Sequence, residues 1–440
     1  MSQFAMTTEW DALPAISRAN RLAERLFALC ATATFALSIA GYQVLSFFLN
    51  PDQTRAGSIP FRIVMVVLQI ATATLAVLVC RQRVPMSAAL AVLFVVIYTF
   101  RFTHDAIFRP IEIYVPTLDD AILFYFGICL PTFFGLVFVR DKTAIRSAGD
   151  WLYWMAYFIC AAGMITGAGL IARGQNKLEN GATYLIGNGA MNHFQFAHMG
   201  VLLLGLGAYK LGCRRYRNRL SMILIIASIP LAVAVMLLAD SRSAFVGAPL
   251  VIVAALYGAV RARNLAVIVV SIVIAALSAS WLIGYAAYVN LDLAKELTVW
   301  EYLGGESTYN REAMGGRAIK EFEAHPLLGD QIVEETFGEY PHNILIEAFM
   351  ATGFFGGFLY FLLWARGAYV AWRFVGDKEY GWLAVVFLDQ MALYLASGAL
   401  FISSDVWALF AIVVGLDMTK FSRRRGGRQE LAGGRGDGGR

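Results

Sequence analysis

The chain has 440 residues, of which 59% are hydrophobic and only 15% are charged, and its formal net charge is +5. Soluble domains have about 25% charged residues, so this composition excludes an ordinary soluble globular protein. The basic residues lie between apolar segments and not in one stripe with interleaved aromatics, so the charge favours a membrane topology and no nucleic-acid partner is expected.

Apolar stretches of membrane-spanning length recur along the sequence. A bilayer offers the backbone no hydrogen-bond partners, so such stretches are stable there as helices. We therefore predict an all-α, polytopic integral membrane protein with about 12 transmembrane helices in a single domain, residues 1–420. The predicted spans are 26–48, 61–80, 86–101, 121–139, 151–172, 191–210, 220–239, 243–260, 264–289, 343–365, 379–400 and 404–419.

Positive charge marks the cytoplasmic side of membrane proteins. With the N-terminus inside, the inside connections carry 25 of the 36 Lys and Arg residues. We therefore predict that both termini are cytoplasmic and that the longest connection, about 290–341, lies outside. The basic, Gly-rich tail 421–440 has no apolar face and is predicted to be disordered and cytoplasmic.

The turn between the seventh and eighth spans contains only Asp240, Ser241 and Arg242, which predicts a tight helical hairpin. Arg242 stands at an outer membrane edge beside a helix terminus. A guanidinium there suits an anionic phosphate, because it donates two parallel hydrogen bonds. An Arg at a span boundary is also commonly a snorkelling anchor, and both interpretations stay open at this point.

The long outside connection contains a predicted amphipathic helix on the membrane surface. Asn310 is its candidate N-cap, and Met314, Ala318 and Phe322 follow at helical spacing before Pro326.

Arg311 and Arg317 both belong to this predicted helix. They are six positions apart, roughly 240° around the helix, so they cannot both face one ligand. One of the two is therefore a solvated surface charge.

The sequence Pro341-His342-Asn343 directly precedes an apolar run. Pro favours the first helical position, so His342 is expected in the first turn of the tenth span. The positive helix terminus keeps a nearby imidazole neutral and able to accept a proton. Glu347 lies one turn below Asn343 and is expected to orient it. A satisfied or solvated side chain is the alternative for His342.

Three features lie deeper in the predicted spans. Gly353 and Gly357 form a GxxxG step that predicts close approach of a neighbouring helix. Asp389 falls in mid-span, where a charge requires a partner such as Gln390 or an Arg, or belongs to an ion path. His193 and His198 are expected to line a helix interface. The Cys and His residues lack metal-ligand or redox spacing, so no metal and no cofactor is predicted.

These segments together resemble the O-antigen ligase and O-antigen polymerase superfamily. Its members are bacterial type-C glycosyltransferases that move a glycan from undecaprenyl pyrophosphate to an acceptor hydroxyl. The stretch HNILIEAFMATGFFGG, with His342, Asn343 and Glu347 ahead of Gly353 and Gly356, is similar to the family's His-Asn helix start.

Two shorter stretches also carry the resemblance. Ser241-Arg242-Ser243-Ala244 is similar to the family's Ser-Arg-Gly-Ala turn. Arg311 stands fifteen residues before Pro326, in register with the family's outer loop, although Gly315 replaces an expected aromatic residue.

The resemblance implies an inverting, metal-independent transfer at the periplasmic face of the bacterial inner membrane, with loop 290–341 periplasmic. His342 would be the general base, and Arg242 and Arg311 would hold the pyrophosphate. The implied partners are an undecaprenyl-pyrophosphate-linked glycan donor, a lipid A core or glycan acceptor, and membrane lipids. The supporting residues are Ser241, Asn343, Glu347 and Arg317.

Several functions remain open. The twelve spans and single late loop resemble the ligase branch, which modifies lipid A core, more than the polymerase branch, which extends lipid-linked glycan. A transporter or lipid flippase would use Asp389 as a coupling group, but the sequence has no internal repeat and its candidate residues gather at one membrane face. A structural or sensory membrane protein would leave the three matching stretches unexplained.

Overall fold

The computed structural model describes most of the chain as helices. The described residues are 13–48, 54–80, 86–108, 117–139, 141–172, 193–213, 218–239, 242–261, six single positions between 269 and 280, 306–377 and 379–416.

Regular structure in the described part of the chain is helical, which confirms the all-α fold class. The helices are α1 (Leu13–Ser46), α2 (Thr54–Cys80), α3 (Met86–Phe108), α4 (Leu118–Phe124), α5 (Leu130–Leu136), α6 (Lys142–Ala172), α7 (His193–Gly212), α8 (Arg219–Leu238), α9 (Arg242–Arg261), α10 (Glu306–Ala324), α11 (Ile344–Phe374), α12 (Trp382–Ala396) and α13 (Ser404–Gly415). A single π-helical turn, Tyr125–Cys129, joins α4 to α5.

Six of the described helical segments are long and apolar enough to cross a membrane, as expected for a multi-pass membrane protein. They are Leu22–Ser46, Ile59–Leu78, Met86–Phe108, Leu118–Leu136, Arg219–Leu237 and Ile344–Phe374. Shorter apolar helices are Val246–Val260, Trp382–Ala396 and Ser404–Gly415. Most of the predicted ninth span, 264–289, most of the first half of the loop 290–341, and the tail 421–440 lie outside the described residues.

The tight hairpin predicted for the seventh and eighth spans is wrong in its packing. α8 and α9 are close in sequence, but each packs along α7, which also contacts α6 and α12. Small residues on α7 explain this arrangement. A Cβ added at Gly200 would lie 2.9 Å from Met236, and one added at Gly205 would lie 3.0 Å from Val251, so α7 admits both neighbours closely.

The third predicted span is too short. α3 continues past Arg101 to Phe108 because both charged groups of its last turns have partners. The Arg101 guanidinium donates to the carbonyl oxygens of Asp330 at 2.5 Å and of Leu328 at 3.2 Å. Asp105 accepts a hydrogen bond from the Ile332 amide at 3.1 Å. The end of α3 therefore fixes the segment 328–332 against the bundle.

α11 is interrupted at Gly353, where φ is 64°. The Phe354 amide donates to the Pro326 carbonyl at 2.7 Å, and a Cβ at Gly353 would lie 2.3 Å from the Leu327 carbonyl oxygen. The prediction that Gly353 admits a neighbouring helix is therefore wrong, because the backbone of the preceding loop occupies that space. The break is what lets the loop pack into the side of α11.

Candidate functional site

His342 lies just outside α11, and not in its first turn as predicted. Asn343 is the N-cap, and His342 before it has a φ of 55°, the one positive value among the described non-glycine residues. This left-handed conformation costs about 1–3 kcal/mol for a residue with a Cβ. Pro341 is consequently two residues before the helix, and the strained backbone turns the imidazole toward Tyr340, whose ring centroid is 4.5 Å away.

Asn343 holds this arrangement in place. Its side-chain oxygen accepts from the amides of Leu345 at 3.0 Å and Ile346 at 3.1 Å, which caps the helix. Its side-chain amide donates to the Leu395 carbonyl at 2.9 Å. The first turn of α11 is thereby tied to the end of α12.

Glu347 does not orient Asn343, contrary to the sequence prediction. Its carboxyl group is fully buried and accepts from the Tyr98 hydroxyl at 2.5 Å and the Leu400 amide at 2.8 Å. The physical reason is that the Asn343 side chain is already engaged by the helix start and by α12. Glu347 instead connects α11 to α3 and to the segment between α12 and α13.

Arg311 faces the same end of α12 from the loop side. Asn310 is not an N-cap, because α10 already begins at Glu306. The Arg311 guanidinium donates to the Ala396 carbonyl at 3.3 Å and lies 5.4 Å from the centroid of the Phe194 ring. Arg311 is therefore held one residue along α12 from the carbonyl that binds Asn343.

Arg317 points elsewhere, as the helix geometry predicts. It is exposed, and its guanidinium lies 5.2 Å from the Phe337 ring. The buried face of α10 contains Met314 and Ala318, which pack toward α11, so the amphipathic character of this helix is confirmed.

The environment of His342 keeps its imidazole neutral. Burial, with a smaller contribution from the positive charge of Arg311, lowers the pKa of His342 from 6.5 to about 4. Its Nε2 is 3.7 Å from a carboxylate oxygen of Glu339. Its buried Nδ1 has no hydrogen-bond partner among the described residues. An unprotonated, incompletely partnered imidazole beside a fixed cation can accept a proton next to a bound anion.

Two predicted site residues belong to the turn before α9 and to its first position. Ser241 and the side chain of Arg242 lie outside the described residues, so their predicted roles stay predictions. α9 begins at Arg242, one residue before the predicted start of the eighth span.

The next residue, Ser243, belongs to a buried chain of hydrogen bonds, of which the sequence predicted only the contact between Asp389 and Gln390. The Ser243 hydroxyl is 2.9 Å from Nε2 of His198, and Nδ1 of His198 is 2.7 Å from Asp389. Gln390 donates a longer bond of 3.4 Å to the same carboxylate. His198 and Asp389 are fully buried and Ser243 is 8% exposed. This chain joins α7, α9 and α12 and gives Asp389 the partners that a buried charge requires.

The clamp on α3 is a second feature that the sequence prediction missed. Arg101 and Asp105 are four positions apart on one helix face, a spacing that can be read from sequence. The predicted third span, 86–101, ends at Arg101 and so leaves Asp105 out of the helix. Together these residues fix the loop that leads to His342.

No group of three or more His, Cys, Asp and Glu side chains that could hold a metal ion occurs among the residues that the structure describes.

Comparison of the chain with family models, with curated proteins and with solved structures yields no match. The site must therefore be interpreted from its own geometry.

Proposed function

We propose that this protein is a glycosyltransferase of the O-antigen ligase type, which moves a glycan from undecaprenyl pyrophosphate to a sugar hydroxyl of lipid A core. The observation that carries the proposal is the neutral, strained and incompletely partnered His342 beside Arg311. The proposal includes twelve spans, two cytoplasmic termini and a site at the periplasmic face of the inner membrane.

In the proposed reaction the acceptor hydroxyl attacks the anomeric carbon from the face opposite the pyrophosphate. His342 takes the hydroxyl proton as the new carbon–oxygen bond forms. The bond from the anomeric carbon to the pyrophosphate oxygen breaks, and its electron pair leaves with undecaprenyl pyrophosphate. The configuration at the anomeric carbon is inverted.

Arg311 and Arg242 bind the leaving pyrophosphate in this scheme and stabilise the charge that develops on it. Binding of the donor is also expected to change the pKa of His342. Arg311 contributes to the low pKa of His342 in the free protein, and a bound pyrophosphate offsets that positive charge. Donor binding is therefore expected to raise the pKa of His342 and make it a stronger base.

The test is transfer by the purified protein in nanodiscs, with undecaprenyl-pyrophosphate glycan as donor and lipid A core as acceptor, with and without EDTA. We expect product on the core in both conditions. His342→Ala should lower the rate about 10²–10⁴-fold, the usual contribution of a general base. His325→Ala is the matched control, since His325 is an exposed histidine of the same loop, and it should keep the wild-type rate.

The pH profile sharpens this test. Because the pKa of the free His342 is about 4, kcat/KM should stay high below pH 6 and fall only as the pH approaches 4. Full transfer by a folded His342→Ala protein would refute the proposal. Longer lipid-linked chains without modified core would identify a polymerase.

A transporter is the second candidate, favoured by the buried His198–Asp389 pair at 2.7 Å inside the helix bundle. A proton-coupled transporter would lose uptake in Asp389→Asn and keep it in His342→Ala. A glycosyltransferase would instead lose its transfer activity in His342→Ala.

A further inference from the structure

A cavity of about 250 Å³ opens beside Tyr340, at the end of the bundle that carries His342. Its walls come from the second half of α1, the first half of α2, α4 and the π-helical turn, the start of α7, the end of α12, the segment after it and the start of α13. No residue of the sequence motifs belongs to it.

Two rings of this cavity also contact the candidate site. Tyr340 lines the cavity and packs against the His342 ring at 4.5 Å between centroids. Phe194 lines the cavity and lies 5.4 Å from the Arg311 guanidinium. A molecule bound in the cavity is therefore one aromatic ring away from both the candidate base and the candidate anion binder.

The walls combine flat rings with uncharged polar groups. Gln43 and Gln195 both line the cavity. Each amide offers both a donor and an acceptor. An apolar lipid chain in the cavity would offer these amides no hydrogen-bond partner, which disfavours such an occupant.

The cavity wall has one carboxylate and one guanidinium, so its charges do not favour an anion over a neutral ligand. Asp405 lines it and accepts a hydrogen bond from Tyr394, which lines it too. Arg62, the cation of the wall, lies over the Phe124 ring at 4.3 Å. A carboxylate beside the cavity repels a phosphate, whereas it accepts hydrogen bonds from neutral hydroxyls. Hydroxyls on a ring with apolar faces match these walls.

We propose that this cavity binds a neutral sugar ring of the acceptor and presents it to His342 past the edge of Tyr340. This inference rests on the proposed function and adds a location and a chemical class for the acceptor. Gln43 and Gln195 bind its hydroxyls, and the aromatic side chains contact its carbon–hydrogen faces. The donor pyrophosphate lies on the other side of Tyr340 and Phe194, at Arg311.

The test uses Gln43→Leu and Gln195→Leu, which keep the side-chain volume nearly constant and remove the amide. Each should raise the KM for lipid A core about 2–10-fold, the change expected for the loss of one neutral hydrogen bond. The KM for the donor and the rate at saturating core should not change. Gln69→Leu is the matched control, because Gln69 is buried on α2, bonds Thr132 and does not line the cavity.

A rise in the donor KM with an unchanged acceptor KM would overturn the acceptor assignment and leave the glycosyltransferase proposal standing. Unchanged KM values for donor and acceptor in both correctly folded variants would also overturn the acceptor assignment and leave the glycosyltransferase proposal standing.

Direct binding separates the two proposals. The deacylated core oligosaccharide, titrated into the purified protein without donor, should bind the wild type and bind both Leu variants about 2–10-fold more weakly. Such binding in a protein that shows no transfer would support the sugar cavity and reject the transferase. No binding to the wild type would overturn the cavity proposal, whatever the transfer assay shows.

Discussion

Two histidines of this molecule, His198 and His342, occupy opposite environments. His198 lies inside the bundle, fully buried, and both of its ring nitrogens have partners, Ser243 and Asp389. His342 lies at a helix entrance with a strained backbone, and its Nδ1 has no partner among the described residues. A histidine with two hydrogen bonds on three helices is part of the framework. A strained histidine with an unpartnered ring nitrogen is not held by the framework in this way.

The largest expected effect tests this contrast through stability. His198→Ala leaves Asp389 buried without its shortest hydrogen bond, so the free energy of unfolding should fall by about 2–3 kcal/mol. That estimate lies between the largest interhelical hydrogen bonds measured in membranes, about 1.7 kcal/mol, and the 3–5 kcal/mol for breaking a buried ion pair. His342→Ala removes a ring that packs against Tyr340 and should cost about 1 kcal/mol or less. Unfolding by SDS in mixed micelles measures both, and equal losses would contradict the contrast.

A smaller effect is expected where the framework meets the site. Asn343→Ala removes the cap of α11 and the bond to the Leu395 carbonyl, and should cost about 1–2 kcal/mol. Asn343→Asp keeps the capping oxygen and loses only the donor, so its loss should be about half as large. The same SDS titration compares them, and a loss for Asp as large as for Ala would show that the cap contributes nothing.

The smallest expected effect concerns the carboxyl group of Glu321 on α10. Burial, and less strongly the charges of Glu334 and Asp330, raises the pKa of Glu321 from 4.5 to about 7. Between these values the folded state binds more protons than the unfolded state, so stability falls as the pH rises through this window.

Glu321→Gln should therefore raise the melting temperature at pH 8 by about 1–3 °C relative to wild type, because the partly exposed group is screened by solvent. At pH 4 the two proteins should melt together. Glu323→Gln, an exposed neighbour on α10, is the control. A constant difference across this pH range would rule out titration of Glu321 as the cause.

The features that the sequence predicted correctly are those that depend on residues close together in the chain. Apolar runs located the described helices, and helix geometry separated the directions of Arg311 and Arg317, because both follow from local spacing. The same kind of spacing misplaced the partner of Glu347. That partner, Tyr98, is 249 residues away, and His198 and Asp389 are separated by 191. A positive φ at His342 has no signature in composition, so the start of α11 was placed too early.

The clamp between Arg101 and the loop carbonyls has a consequence for how the protein is made. Arg101 leaves the ribosome 229 residues before Asp330, whose carbonyl it binds. During that interval a charged side chain near the end of an apolar helix lacks its final partners, which is costly within a bilayer. α3 is therefore expected to insert into the membrane unstably at first. Its insertion should become stable only after the loop with residues 328–330 has been synthesised and binds Arg101. Truncation of the nascent chain before residue 328 should leave α3 accessible to water-soluble labelling reagents.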